Sequence, residues 1–170
     1  VGEANVYGGP GHDVLSAIGG VNYIDGGDDD DLIFGGAGND TILGGDGNDE
    51  IYGGGGRDRI FGERGNDRIY GQGIEGVYIE GGRGDNVITG SDGPDEIYAV
   101  RPSANLGEAG QNLVYGAKGN DLIIGGPDNF NHLYGDEGDD RIYGGTVADI
   151  LHAGSGTDWI DGDAGDDLIF

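Results

Sequence analysis

The sequence contains no cysteine and no methionine, only four prolines and only eight basic residues. Without cysteine the chain has neither a disulfide framework nor a thiolate metal site. No apolar run approaches the roughly 20 residues that a transmembrane helix requires, so a membrane span is excluded. With 33 Asp and Glu against eight Lys and Arg, the formal net charge is -25, which argues against nucleic acid as a partner.

Glycine and acidic residues dominate what is present, and 42 of the 170 residues are glycine. Such a composition is ordinarily typical of disorder, because little apolar surface is available to offset the entropy of the chain. The order of the residues indicates otherwise, because the glycines recur at a fixed spacing. We predict a single domain over residues 1–170, of the kind whose size is set by repeat number rather than by a spherical core.

Three consecutive segments show the repeat: Gly35–Leu43, Gly44–Tyr52 and Gly53–Phe61 align without gaps at a period of nine. The unit is G-G-x-G-x-D-x-U-x, in which U is aliphatic. Rows in this register cover residues 8–170, and residues 1–7 form a ragged first row. A repeat of this kind indicates a solenoid, in which each unit buries its apolar face only against its neighbours.

The last three positions of each row are β-formers with an aliphatic residue in the centre. Because side chains alternate along a strand, the central residue points inward and its neighbours point outward. Two nine-residue rows then close one coil, with a glycine turn at each edge. We therefore predict an all-β, right-handed parallel β-roll, or β-solenoid, of about nine coils.

Position six of the row carries the distinctive chemistry. Carboxylates 18 residues apart would stack on one another along an edge, and like charges so close in partly dry surroundings repel strongly. A cation between them removes the repulsion, and calcium suits ligand sets made of carboxylate and carbonyl oxygens. Twelve aspartates occupy this position, namely Asp13, Asp31, Asp40, Asp49, Asp58, Asp67, Asp95, Asp121, Asp140, Asp149, Asp158 and Asp167.

The repeat resembles that of the repeats-in-toxin (RTX) family, whose unit is the same G-G-x-G-x-D-x-U-x, and the resemblance covers residues 8–170. It implies a parallel β-roll that holds calcium between adjacent turns through the aspartate and the turn carbonyls. We expect about ten or more calcium ions, at about one per consensus aspartate. Carried over by position, the metal ligands are the twelve aspartates and the turn glycines Gly36, Gly38, Gly45, Gly47, Gly54 and Gly56.

Several rows depart from the unit. Asparagine replaces the aspartate at Asn22, Asn86, Asn112 and Asn131, and Gly76 occupies the aspartate position in its own row, so these sites are expected to be weaker, empty or replaced by an amide ladder. The segment 99–106 lacks the glycine turn and is either a degenerate row or an insertion. If it is a row, residues 8–170 make 18 rows with a net excess of one residue, and this count favours a row over an insertion.

If that segment is a row, the position-six residues divide between two edges. One edge carries Asp13, Asp31, Asp49, Asp67, Asn86, a gap, Asp121, Asp140 and Asp158; the other carries Asn22, Asp40, Asp58, Gly76, Asp95, Asn112, Asn131, Asp149 and Asp167. Calcium is then expected to be densest toward the two ends and depleted in the middle, around residues 76–112.

Plainer interpretations exist for each feature. Aspartates in turns commonly bond to their own backbone, but strict nine-residue phasing with glycine favours metal binding. Outward aromatic residues form either a carbohydrate- or partner-binding strip or, as we favour, stacked ladders. They are Phe34, Tyr52 and Tyr70 on one face and Tyr98, Tyr115, Tyr134 and Phe170 on the other. No catalytic constellation stands apart from the repeat, so we predict no enzyme.

A fold that depends on calcium suits an extracellular location, because calcium is abundant there and metal-binding free energy becomes folding free energy. We expect a secreted or cell-surface protein with a structural role, as a rod, an adhesin segment or a filament whose open ends stack on further copies. The alternative is a secretion and folding module of a type I secreted enzyme or toxin, the typical use of such repeats in the RTX family.

Overall fold

The computed structural model describes residues 2–100 and 110–170, and the regular elements in these two stretches are all β-strands. This described part contains no helix that could cross a bilayer. The strands are β1 (Ala4–Pro10), β2 (Val14–Ser16), β3 (Asn22–Asp28), β4 (Leu32–Ala37), β5 (Thr41–Asp46), β6 (Glu50–Gly55), β7 (Arg59–Arg64), β8 (Arg68–Tyr70), β9 (Tyr78–Glu80), β10 (Val87–Thr89), β11 (Glu96–Tyr98), β12 (Gln111–Tyr115), β13 (Leu122–Ile124), β14 (Phe130–Tyr134), β15 (Arg141–Gly145), β16 (Ile150–His152), β17 (Trp159–Asp163) and β18 (Leu168–Ile169).

Odd- and even-numbered strands form two separate parallel sheets of nine strands each, called here the odd sheet and the even sheet. Each strand pairs with the strands two before and two after it, so one odd strand and one even strand make one coil. In the odd sheet Ile24 pairs with Ile42, and Ile42 pairs with Ile60. The structure confirms the predicted all-β solenoid of about nine coils.

The core consists of two facing ladders made by the central residue of each strand. In the odd sheet Ile42 and Ile60 are fully buried, and in the even sheet Ile33 and Ile51 are as well. Isoleucine suits this position because its β-branched side chain packs well on a pleated surface. Each buried isoleucine contributes about 1.5–3 kcal/mol of transfer free energy, so the narrow core gains its stability by repetition.

An extra residue in the turn between β8 and β9 moves the aspartate position from Gly76 to Val77. Ile79 pairs with Ile60, and the Val77 amide donates to Asp95 Oδ1 at 2.8 Å, as the amide of an aspartate does in other rows. Val77 is buried, only 3% exposed. The prediction that Gly76 occupies the aspartate position is therefore wrong, because the extra residue precedes the strand and shifts the register by one.

The segment 99–106 does not add a row. β10 pairs directly with β12, and β11 pairs directly with β13. The amides of Asn86 and Asp95 reach side chains 26 residues later, whereas those of Asp31 and Asp49 reach side chains 18 residues later. The difference, 26 less 18, shows that eight residues are inserted into one coil. The row interpretation is wrong because an insertion this close to the repeat length mimics a row; residues 101–109 lie outside the described part of the chain.

Because the segment adds no row, each position-six residue after the insertion lies on the edge opposite to the one predicted for it. Edge one, where odd strands lead into even strands, carries at position six Asp13, Asp31, Asp49, Asp67, Asn86, Asn112, Asn131, Asp149 and Asp167. Edge two, where even strands lead into odd strands, carries Asn22, Asp40, Asp58, Val77, Asp95, Asp121, Asp140 and Asp158. The predicted edges are therefore right before the insertion, apart from Gly76, and exchanged after it.

Candidate functional site

At each edge the position-six side chains form a ladder through one carboxylate oxygen. Oδ1 accepts a hydrogen bond from the main-chain amide of the position-six residue one coil earlier. The Asp31 amide donates to Asp49 at 2.8 Å and the Asp49 amide to Asp67 at 3.0 Å, and on edge two the Asp121 amide donates to Asp140 at 2.9 Å. The neighbouring coil therefore fixes the orientation of each carboxylate.

The second carboxylate oxygen, Oδ2, is left without a partner. On the described chain it is buried and unbonded in nine of the aspartates: Asp13, Asp31, Asp40, Asp49, Asp58, Asp67, Asp121, Asp140 and Asp149. Asp121 Oδ2 and the carbonyl oxygen of Gly135, one coil later, lie 2.5 and 2.6 Å from the point where a Cβ on Gly116 would stand. Two acceptors therefore lie beside the same glycine, and Asp121 Oδ2 has no donor, which is unfavourable unless a cation binds there.

Burial raises the pKa of these carboxyl groups because desolvation disfavours the charged form. The pKa rises to about 6 for Asp49, Asp58 and Asp149, to about 7 for Asp67 and to about 8 for Asp121. Repulsion by the aspartate of the adjacent coil acts in the same direction for Asp67 and Asp121, whereas the hydrogen bond from that coil opposes it. At neutral pH the metal-free fold is thus strained by its own carboxylates.

Acidification should stabilise the metal-free fold. The pKa of Asp67 and of Asp121 lies above the ordinary value of 3.8, so the folded chain binds more protons than the unfolded chain between about pH 4 and pH 8, and the free energy of unfolding falls as pH rises through that window. In excess chelator we expect the far-ultraviolet β signal to grow as the pH is lowered from about 8 to about 5. Circular dichroism at a series of pH values measures this.

The matched measurement uses the calcium-loaded chain, for which the direction reverses. Calcium binds the deprotonated carboxylate, so the calcium concentration at the folding midpoint should rise as pH falls. A chelated chain with the same β signal at both ends of the pH range would contradict the assigned pKa shifts.

The chemistry of the donors fits a hard divalent cation. The atoms without hydrogen-bond partners are carboxylate oxygens, and main-chain carbonyl oxygens lie near them. No three His, Asp or Glu side chains converge within residues 2–100 and 110–170, so a bound ion would complete its shell with main-chain oxygens. Calcium accepts six to eight oxygens in a flexible arrangement, whereas magnesium requires a tight octahedron and retains water. Calcium is therefore the better match, and it would supply positive charge between neighbouring turns.

The twelve aspartates predicted as ligands fall into three groups. Nine have the buried, unpartnered oxygen described above. Asp158 and Asp167 lie in the final coil and accept hydrogen bonds from the coil before it. Asp95 differs, because Ser91 donates to both of its oxygens, from Oγ at 2.7 Å to Oδ1 and from the main-chain amide at 2.6 Å to Oδ2. Nine of the twelve thus have a carboxylate oxygen without a hydrogen-bond partner, and the role of the twelve as calcium ligands stays a prediction.

The six turn glycines predicted as ligands, Gly36, Gly38, Gly45, Gly47, Gly54 and Gly56, all have φ between +95° and +151°. The turns stack in register, so that the carbonyl oxygen of Gly36 lies where a Cβ on Gly54 would stand and that of Gly38 lies where a Cβ on Gly56 would stand. Side chains at these positions would overlap the preceding turn. The role of their carbonyls as calcium ligands stays a prediction.

Sequence reasoning missed a second ladder, which is formed by position five. The Asn48 amide donates to Asp30 Oδ1 at 2.7 Å, and the Asn66 amide donates to Asn48 Oδ1 at 2.9 Å. On edge two the Arg57 amide donates to Asn39 Oδ1 at 2.9 Å. Here the later coil donates to the earlier one, which is the reverse of position six. The recurrence of Asn and Asp at position five was the available signal.

Aromatic side chains form a ladder on the outer face of the even sheet. Adjacent rings stack with centroids 4.4–5.1 Å apart in two runs, Phe34, Tyr52 and Tyr70, then Tyr115, Tyr134, His152 and Phe170. The predicted division into two faces is therefore wrong, because the inserted segment was counted as a row; of the seven predicted residues, Tyr98 alone lies on the odd sheet. The ring faces are covered by neighbouring rings, which favours a structural ladder over carbohydrate binding.

The odd sheet has a less regular outer face. Tyr98 packs against Tyr78 with tilted rings, and the Arg59 guanidinium lies 4.6 Å from the centroid of Tyr78. Near the end of this sheet Trp159, the single tryptophan of the chain, contacts Tyr143 at 4.8 Å and stays 47% exposed. Its interactions are therefore confined to the last two coils of the sheet.

Truncation of Tyr52 to alanine should destabilise the calcium-loaded chain by about 1–2 kcal/mol, because the ring is stacked on both sides. Denaturant unfolding in saturating calcium measures the loss. Tyr7→Ala provides the control, since Tyr7 is 64% exposed and has one tilted aromatic neighbour. Equal losses for the two variants would show that stacking does not stabilise the ladder.

Comparison with known protein families gives one informative match. The family model described as RTX calcium-binding nonapeptide repeat (4 copies) matches residues 7–42, 43–73, 78–99, 106–129 and 134–169. The comparison with curated proteins gave no match. The gaps between the matched segments include the turn that carries the extra residue before Val77 and most of the inserted segment. The third gap, residues 130–133, falls within the regularly paired strand β14.

Proposed function

The chain belongs to the RTX calcium-binding nonapeptide repeat family, and from that premise we propose that it is an extracellular structural solenoid whose folding is driven by calcium. The RTX β-roll is a calcium-binding structural module that is not catalytic by itself. The observation that carries the proposal is the set of nine buried aspartate oxygens without hydrogen-bond partners. Desolvated acceptors of this kind cost free energy unless a cation satisfies them.

Net charge supports the same proposal. At -25 over 170 residues the compact chain repels itself, and the ion pairs between residues that the structure describes are exposed: Arg64 with Asp46 at 3.1 Å and Lys118 with Asp92 at 2.7 Å. Such pairs contribute little. Divalent ions bound along both edges would lower the charge where it is densest, and their binding free energy would add to folding free energy.

A calcium titration followed by far-ultraviolet circular dichroism tests the proposed location. Calcium sites of extracellular modules bind in the range of about 0.1–1 mM, whereas cytosolic sensors bind at about 0.1–10 µM. We expect a folding midpoint in the upper range, so that the chain would be unfolded inside a cell and folded outside. A midpoint at or below the range of cytosolic sensors would contradict an extracellular switch.

End-to-end association is the finer form of this structural role. In the last coil Ile169 occupies the core position, yet it is 51% exposed, and Leu168 and Phe170 beside it are also half exposed. Their counterparts in preceding coils are covered by the next coil. A first coil from a second copy would cover them in the same way, through continued parallel pairing.

Sedimentation velocity in saturating calcium tests this association, with Ile169→Asp as the variant that places a charge at the contact. We expect calcium-dependent oligomers for the unaltered chain and their loss in the variant. Monodisperse short rods at all protein concentrations would contradict stacking, and would leave the alternative role as a secretion and folding module of a larger exported protein.

A further inference from the structure

We infer that calcium dependence is confined to two separate blocks of coils, joined by a central segment that is held together without metal. The central joint comprises β9–β12, residues 78–80, 87–89, 96–98 and 111–115, with the turns described between them. This inference rests on the proposed calcium-driven folding and specifies which coils need calcium to fold. It follows from the residues at position six. Four consecutive rows have no carboxylate oxygen without a hydrogen-bond partner at this position, namely those of Val77, Asn86, Asp95 and Asn112.

On edge two the joint begins with a methyl group in place of a carboxylate. Val77 Cγ2 lies 2.8 Å from the point where a Cβ on Gly71 would stand, the place that Asp121 Oδ2 takes beside Gly116. Val77 also belongs to the cluster of buried core residues. This turn therefore presents hydrocarbon where its neighbours present an anionic oxygen, and it has no need of a cation.

The next turn on edge two keeps its aspartate and satisfies it with protein donors. Asp95 Oδ1 accepts from the Ser91 hydroxyl at 2.7 Å and the Val77 amide at 2.8 Å, and Oδ2 accepts from the Ser91 amide at 2.6 Å. Both residues are buried. Three donors stabilise the carboxylate, so the inference excludes Asp95 from the proposed calcium ligands.

On edge one the joint replaces carboxylates by amides. The Asn86 amide group accepts from the Asp67 main chain at 2.9 Å, and the Asn86 main chain donates to Asn112 Oδ1 at 3.2 Å. Asn112 Nδ2 then donates to Asn131 Oδ1 at 3.0 Å. Beside Gly81, Asn86 Nδ2 lies 3.1 Å from the point where a Cβ would stand, and it is buried without a hydrogen-bond partner. A donor thus stands where other turns place a carboxylate oxygen, and its amide hydrogens would repel a cation.

The two flanking blocks have the opposite character. Before the joint, unpartnered carboxylate oxygens follow one another on edge one from Asp13 to Asp67 and on edge two at Asp40 and Asp58, and after it they resume with Asp121, Asp140 and Asp149. In a solenoid each coil contacts only its neighbours, so stability is set locally and folding can propagate outward from a stable segment. The joint is therefore the segment from which calcium extends the fold in both directions.

Hydrogen exchange of the full chain, followed by mass spectrometry through a calcium titration, tests the inference. In excess chelator we expect amides of β9–β12 to exchange about ten-fold or more slowly than those of β4–β7 and β15–β17. Calcium should then protect the outer strands. Protection that appears in every strand at one calcium concentration overturns the joint while leaving calcium-driven folding intact. No calcium-dependent protection in any strand overturns both.

Two variants give the assignment a sharper test. Ser91→Ala removes a hydroxyl that donates to Asp95 Oδ1 and accepts from the Gly93 amide. Because Asp95 then lacks a donor, protection of residues 78–98 in chelator should be lost and then restored by calcium. Ser155→Ala is the control, because its hydroxyl is exposed and makes a single contact at 3.5 Å to the Asp136 carbonyl. It should leave exchange in the joint unchanged.

Asn86→Asp tests the other edge and decides the outcome if Ser91→Ala fails to fold even in calcium. It places a buried carboxylate in the joint, so residues 87–89 should lose protection in chelator and regain it with calcium. If both variants keep the protection of the unaltered chain in chelator, the inference is overturned.

Discussion

In excess chelator the chain should lose most of its far-ultraviolet β signal, and millimolar calcium should restore it. The expected loss is large because nine buried carboxylate oxygens lack any donor, and each unsatisfied buried group costs about 1–3 kcal/mol. Such a sum, about 9–27 kcal/mol, is as large as or larger than the roughly 5–15 kcal/mol by which a domain is ordinarily stable. Circular dichroism with alternating additions of chelator and calcium measures the reversible change.

Two control salts separate calcium binding from general screening. Sodium chloride at matched ionic strength screens the charge of -25 without entering the turns, and magnesium at the same concentration supplies divalent charge with a less suitable coordination preference. We expect neither to restore the signal to the level reached with calcium. Full β signal in excess chelator would remove the central claim that metal completes the fold.

Gly54→Ala should destabilise the calcium-loaded chain by about 2–5 kcal/mol, the sum of a left-handed backbone and an overpacked turn. Gly54 has φ of +102°, and a Cβ on it would overlap the carbonyl oxygen of Gly36 in the preceding coil. Because the obstacle is main chain, no side-chain rotation relieves it. Urea unfolding in saturating calcium measures the loss.

The adjacent residue gives a matched control. Gly55 has an ordinary φ, and a Cβ on it would have no heavy atom within 4 Å. Gly55→Ala should therefore leave stability unchanged within about 0.5 kcal/mol or raise it slightly by restricting the unfolded chain. If both variants lose the same stability, stacking of the turns is not the reason for glycine at this position.

Much of the fold could be predicted from the period alone. The nine-residue unit specifies one inward residue per strand, and the buried isoleucines Ile33, Ile42 and Ile51 lie where that rule places them. The position-six carboxylates could be predicted for the same reason, since a repeat fixes which residues come into register across coils. Local pattern is sufficient wherever every row has the same length.

The predictions failed where row length changes, because an extra residue can be absorbed at any point of a turn. Sequence counting placed Gly76 at the aspartate position, whereas the core demands that Ile79 pair with Ile60 and thereby places Val77 there. The insertion was misread for a related reason: eight residues resemble a row of nine when only length is counted. Register is decided by burial of the aliphatic ladder, which a count of residues does not weigh.

The bonds of Ser91 illustrate a second limit. Its hydroxyl and amide both donate to Asp95, four residues later, and the hydroxyl oxygen accepts from the Gly93 amide at 3.1 Å. A serine among glycines in a turn carries no sign of this arrangement. Whether a carboxylate needs metal depends on donors that only the folded turn brings together.

The position of Trp159 determines what an optical experiment on this chain can observe. It is the single tryptophan, and its ring contacts Tyr143 within the last two coils of the odd sheet. Tryptophan emission therefore reports on the carboxyl-terminal calcium block and is blind to the block that begins at Asp13. A titration monitored by fluorescence and one monitored by circular dichroism would follow different parts of the same molecule, and the two curves need not coincide.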